Sequence, residues 1–64
     1  EPCGVAVDSQ GKIFVCDYLN NRVQIFTRTG EYYGKFHIPY PKDVAVDTNG
    51  HIIVSTPQGM RVFG

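Results

Sequence analysis

Apolar positions in this chain come in short bursts separated by turn residues, and no segment shows a helical period. Gly4-Val5-Ala6-Val7 and Lys12-Ile13-Phe14-Val15-Cys16 are two such bursts, rich in β-branched side chains and linked through Ser9-Gln10-Gly11. Side chains of that shape suit a pleated sheet surface, and a three-residue link ending in glycine suits a type I turn closed by a left-handed residue. The pair predicts a hairpin. A third strand is expected over 22–26, where Val23 and Ile25 alternate with Arg22, Gln24 and Phe26. Thr27-Arg28-Thr29-Gly30 then supplies a turn, and a fourth strand lies around 32–36. The first two strands are almost wholly apolar, which predicts burial on both faces, and burial is expected to fall from the first strand to the fourth.

The pattern then starts again. With an offset of 39, residues 2–16 align without a gap on residues 41–55, and eight of the fifteen positions are identical: Pro2, Val5, Ala6, Val7, Asp8, Gly11, Ile13 and Val15 recur at 41, 44, 45, 46, 47, 50, 52 and 54. Beyond this the offset becomes 37, so that Val23-Gln24-Ile25-Phe26 falls on Met60-Arg61-Val62-Phe63. A period near 40 with four strands per unit points to an all-β chain of antiparallel meander blades of a β-propeller. Residues 1–40 are expected to form one full blade and residues 41–64 three strands of a second, a propeller fragment of about 1.5 to 2 blades.

Size and charge sharpen this reading. A chain of 64 residues buries only ~60% of the surface its unfolded form exposes, and a 39-residue period makes that shortness a sign of incompleteness. The chain opens on Glu1-Pro2-Cys3-Gly4 without an initiator Met, which suggests a processed or excised piece. With 42% hydrophobic and 19% charged residues the composition is that of a folded chain. Six basic and six acidic residues balance, so net charge alone does not drive binding to nucleic acid or anionic lipid, although a local patch remains open. No apolar run approaches the ~18 residues of a membrane span, and no membrane partner is expected.

Cysteine use is sparse. If Val7 pairs with Ile13 and Val5 with Val15, Cys16 lies opposite Gly4 on the face of Ala6 and Phe14, whereas Cys3 shares the other face with Val5 and Val7. A disulfide between them is disfavoured, Cys16 is expected to serve as a small buried apolar group, and a reducing, cytoplasmic setting is the expectation.

The stretch from Pro2-Cys3-Gly4-Val5-Ala6-Val7-Asp8 through Gly11, Ile13-Phe14-Val15-Cys16-Asp17 and Asn20-Asn21-Arg22-Val23-Gln24-Ile25-Phe26 resembles the NHL-repeat β-propellers. That family runs from a proline through a Gly-Ile/Val-Ala-Val-Asp strand, a glycine turn and an Ile-Tyr-Val-Ala-Asp strand to Asn-His-Arg-Ile-Gln-Val-Phe. The second copy departs from it, because Thr56-Pro57-Gln58-Gly59 offers no counterpart of Asp17, Asn20 or Arg22. The resemblance implies that the loops joining strands two and three lie on one face with the inter-blade connections, which sets residues 18–21 beside 37–42 and near 57–59. It implies an interaction scaffold binding protein or single-stranded RNA through that face, within a larger regulatory protein of the tripartite-motif ubiquitin-ligase kind. The alternative it leaves is part of a metal-dependent peptidyl amidating lyase.

Candidate residues follow from turn chemistry and position. Asp17, Asn20 and Arg22 are expected to hold the turn between strands two and three, with an Asp17–Arg22 ion pair. Tyr18, Leu19 and Asn21 are assigned no such duty and are candidates for partner contact, together with His37, Tyr40 and Lys42. Tyr40, flanked by Pro39 and Pro41, equally suits a side chain that packs a rigid connection. His37 and His51 stand at no metal-ligand spacing, and Asp8 and Asp47 begin hairpin turns, where aspartate stabilises the turn by itself. No catalytic residue, metal or cofactor is assigned, and the chain is not expected to be an enzyme. Two blades also leave apolar sheet faces at both ends of the stack, so self-association or further blades are expected to complete the propeller.

Overall fold

Among the described residues there are seven strands and one short helical turn, and every strand falls where the sequence pattern places one. The computed structural model describes residues 4–64. Pro2 and Cys3, and with them the expected face of Cys3 and its relation to Cys16, lie outside the described residues. The order is β1 (Val5–Val7), β2 (Ile13–Asp17), a 3-10 turn (Tyr18–Asn20), β3 (Arg22–Phe26), β4 (Tyr32–His37), β5 (Asp43–Val46), β6 (Ile52–Thr56) and β7 (Gly59–Phe63). The chain is all-β, with β1 to β4 forming a four-stranded antiparallel meander and β5 to β7 a three-stranded one. These are the shapes of propeller blades.

Register follows from the hairpin turns. Val5 pairs with Val15, Ala6 with Phe14 and Val7 with Ile13, and the Cys16 N–H donates to the Gly4 carbonyl at 3.0 Å. Gly11 and Gly50 close their turns at φ 85° and 86°, each donating its N–H back to the aspartate that opens the turn. That aspartate does double duty. Asp8 Oδ1 accepts the N–H groups of Gln10 and Lys12, and Asp47 Oδ1 those of Asn49 and His51, which satisfies donors that the tight turn leaves without a ladder partner.

The core lies between the two sheets. Antiparallel partners share a face, so the pairing sets Ala6, Phe14, Cys16, Val23 and Phe36 on one side of the first sheet. Val44, Val46, Ile52, Val54 and Phe63 line one side of the second. These two sides meet, with Val23 and Val54 fully buried and Phe36 and Phe63 in ring contact at 4.7 Å. Ile38 and Pro41, in the connection from β4 to β5, are buried as well and anchor it to this core.

Two expectations about burial need correction. The first strand is not covered on both faces: Val5 and Val7 are 62% and 59% exposed. Nor does burial fall steadily from the first strand, because it is greatest in β2, where Phe14 and Cys16 are buried. The reason is positional. Val5 and Val7 belong to the side of the first sheet that faces away from the second, and β1 has a neighbour on one edge only, whereas β2 has paired strands on both edges and a second sheet against its core side.

Candidate functional site

The link between β2 and β3 is organised by one carboxylate. Asp17 takes two hydrogen bonds from the Asn20 side-chain amide, at 3.0 and 3.1 Å, and one from Arg22 Nε at 2.9 Å. Arg22 pairs directly with Asp17 across the β2–β3 ladder, so the ion pair spans a register already set by the backbone. The Asn20 amide foremost, with Arg22 next, holds the Asp17 carboxyl below the ordinary aspartate value of 3.8.

Asn21 ends the helical turn in the left-handed region, at φ 53° and ψ 51°, a conformation asparagine tolerates. From there its carbonyl accepts the Ile38 N–H at 2.9 Å, and its side-chain Oδ1 accepts the Tyr40 N–H at 2.9 Å. The expectation that Asn21 has no structural duty is therefore corrected: it pins the connection between the two sheets at two points.

What it pins is unusual. Tyr40 stands at φ 53°, a backbone region that bulky side chains rarely adopt, directly before a proline, which favours extended backbone in the residue ahead of it. A residue held there stores roughly 1–3 kcal/mol, offset by the Asn21 hydrogen bond and by burial of Ile38 and Pro41 on either side. The connection packs through those two neighbours, and the Tyr40 ring is left 54% exposed.

That ring meets Tyr18. Their centroids lie 6.0 Å apart with the planes tilted by 52°, and with Pro39 they form one wall of a groove whose other wall is Thr56, Pro57 and Gln58 from the β6–β7 turn. The groove encloses about 410 Å³, within the range of small-ligand and peptide sites. Thr56 shapes its far wall, donating its hydroxyl to the Gly59 carbonyl and accepting the Gln58 N–H. The groove straddles the two sheets, so neither sheet alone presents it.

The loop cluster inferred from resemblance is thus assembled in part. Tyr18 and Tyr40 line the groove, and Asn21 supports it from beneath. Leu19 projects at 81% exposure beside it in sequence but is not part of the lining. His37 and Lys42 stand outside the groove as well: His37 ends β4 opposite Arg22, and the Lys42 N–H donates to the Ser55 carbonyl at the start of the β5–β6 ladder. Pro57 and Gln58 line it without having been singled out individually. The departure of Thr56-Pro57-Gln58-Gly59 from the first copy was the available signal.

At the opposite end, the turn aspartates stay with their turns. Asp47 is held below 3.8 first by the His51 backbone N–H and then by the His51 ring, whose Nδ1 lies 3.0 Å from Oδ2. Among the described residues no three His, Cys, Asp or Glu side chains converge as metal ligands, and no helix is long and apolar enough to cross a membrane.

Comparison with known proteins agrees with this architecture. Residues 1–26 match the NHL repeat family. Protein brain tumor of Drosophila melanogaster is 42% identical over 64 aligned positions, which take in 86% of this chain and 6% of the relative. Protein lin-41 of Caenorhabditis elegans is 47% identical over 34 positions, covering 53% of this chain and 3% of the relative. The chain therefore spans a small fraction of either relative's length. With residues 1–26 matched and the two meander sheets in place, this chain carries an NHL repeat.

Proposed function

We propose that the chain serves as a protein-binding part of an interaction scaffold, with the Tyr18–Tyr40 groove receiving an extended segment of a partner protein. Residues 1–40 and 41–64 act in this reading as a blade and part of a blade of a larger propeller in a regulatory protein. The observation that carries it is the groove itself. Two exposed tyrosines and two prolines, drawn from the β2–β3 turn, the inter-sheet connection and the β6–β7 turn, line one groove across a sheet-to-sheet boundary, and Tyr40 is held in a costly backbone conformation with its ring exposed. Aromatic walls with proline beside them suit extended, proline-containing peptide, and tyrosines are frequent anchors at protein interfaces.

Single-stranded RNA, the other partner class implied by resemblance, is supported by the two ring faces, on which bases can stack. Charge weighs against it, because no lysine or arginine lines the groove and the chain is neutral overall. Panning a random peptide library on the chain, and titrating it with unstructured oligonucleotide at two salt concentrations, separates the readings. Selected peptides are expected to lose about tenfold in affinity on Tyr40→Ala, with no salt-dependent oligonucleotide binding. A steep salt slope with the oligonucleotide, or peptides indifferent to Tyr40→Ala, would move the site elsewhere.

A further inference from the structure

The walls of the tyrosine groove come from three connections and offer no open strand edge. Tyr18 lies in the 3-10 turn, Pro39 and Tyr40 in the link from β4 to β5, and Pro57 and Gln58 between β6 and β7. A strand added to a protein needs a row of unpaired backbone N–H and C=O groups to ladder with. Here Pro39 and Pro57 have no N–H, the Tyr40 N–H is held by Asn21, and the Gln58 N–H by the Thr56 hydroxyl. Thr56 is itself paired with Gly59 in the β6–β7 ladder. Neither wall therefore keeps a run of free backbone N–H groups.

Side chains supply the donors instead. The Tyr18 and Tyr40 hydroxyls and the Gln58 side-chain amide have no hydrogen-bond partner among the described residues, and each can donate. No Lys, Arg, His, Asp or Glu lines the groove, so a charged ligand group seated in it would lose water and gain no counter-charge. The two tyrosine rings, 6.0 Å apart and tilted by 52°, do not cover each other flat-on, and both keep ring surface for a ligand.

These features are the complement of one kind of backbone. A polyproline II segment has no internal hydrogen bonds and keeps its carbonyls free. Where it is proline it has no N–H to satisfy, and its rings are apolar and preformed, so that binding costs little ordering. Resting on the reading of the groove as a protein-binding site, we propose that its ligand is an uncharged, proline-rich segment in the polyproline II conformation. A pyrrolidine ring packs against Tyr18 and Tyr40, and a ligand carbonyl accepts a hydrogen bond from the Gln58 amide. Gln58 is thereby the specificity-determining residue, because it rewards a backbone rich in acceptors over an equally apolar one whose N–H groups would go unmet.

Titration of the chain with decaproline tests this, followed by the NMR signals of Tyr18, Tyr40 and the Gln58 side-chain amide, with a Thr-Val repeat peptide of equal length as the strand-forming control. Decaproline is expected to bind saturably and move all three sets of signals, and the control to move none. Gln58→Leu, and Gln58→Glu, which keeps acceptor oxygens but loses the donor, are each expected to weaken decaproline about fivefold, and Tyr40→Ala about tenfold. Circular dichroism checks folding, and either Gln58 variant suffices if the other does not fold. No saturable decaproline binding, a control that binds as tightly, or decaproline binding unchanged by the folded Gln58 variants overturns the proposal. Its failure differs from failure of the partner site. Library peptides that need Tyr40 but contain no proline overturn the proline ligand and leave the site standing, whereas a library with no Tyr40-dependent peptide removes the site and the proposal with it.

Discussion

Asp8, Asp17 and Asp47 are legible from sequence because their partners are near neighbours. An aspartate at the start of a tight turn meets backbone N–H groups two and four residues on whatever the rest of the chain does, and Asp17 reaches Asn20 and Arg22 within five residues. Asn21 was misread for the opposite reason: the N–H it holds belongs to Tyr40, nineteen residues away, and nothing local distinguishes it from Asn20. The acid response of the molecule belongs at this scale. The carboxyls of Asp17 and Asp47 are both held below 3.8 in the folded chain, so their contribution is complete above that value and is lost as pH falls through the depressed folded values. Thermal melting at fixed chain concentration is expected to be insensitive to these two groups at neutral pH and to weaken below 3.8. Asp17→Asn should flatten that acid slope; a slope equal to that of the unaltered chain would show that Asp17 has no part in it.

At the scale of elements, the strands follow from the composition of each segment and, in the hairpins closed by Gly11, Gly30 and Gly50, from the turn glycines, since β-branched runs and left-handed turns are local preferences. The repeat doubles the information, because two copies with different surface residues point to the same strand boundaries. The short 3-10 turn at Tyr18–Asn20 carries no sequence period of its own, being one turn long. The two related hairpins make a controlled pair. Gly50 has open space where a side chain would start, whereas a Cβ on Gly11 would meet the Arg28 Cβ at 2.9 Å. Gly50→Ala is expected to cost about 1–2 kcal/mol through backbone conformation alone, and Gly11→Ala more, because Arg28 must also shift. Urea unfolding midpoints compared at constant slope read the difference; an equal cost at both sites would show that Arg28 yields freely.

At the scale of the whole molecule, stability rests on one sheet-to-sheet core. Val54 is fully buried there, whereas Val62, in β7, is 63% exposed. Val54→Ala is expected to cost about 1.5–3 kcal/mol from lost burial and the cavity left behind, and Val62→Ala less than about 0.5 kcal/mol in dilute solution. Urea titrations of the two variants check this, and comparable losses would mean that the outward face is covered even in the dilute chain. The repeat made strands, turns, register and the two-sheet stack readable in advance, because each depends on neighbours in sequence or on an alternation that a copy repeats. Which side of each sheet stays open, how Asn21 fastens a distant connection, and the groove that Tyr18, Tyr40 and Pro57 build together were decided only by the packing of one sheet on the other. Those features join residues from two units, and no preference local to either unit encodes where they meet.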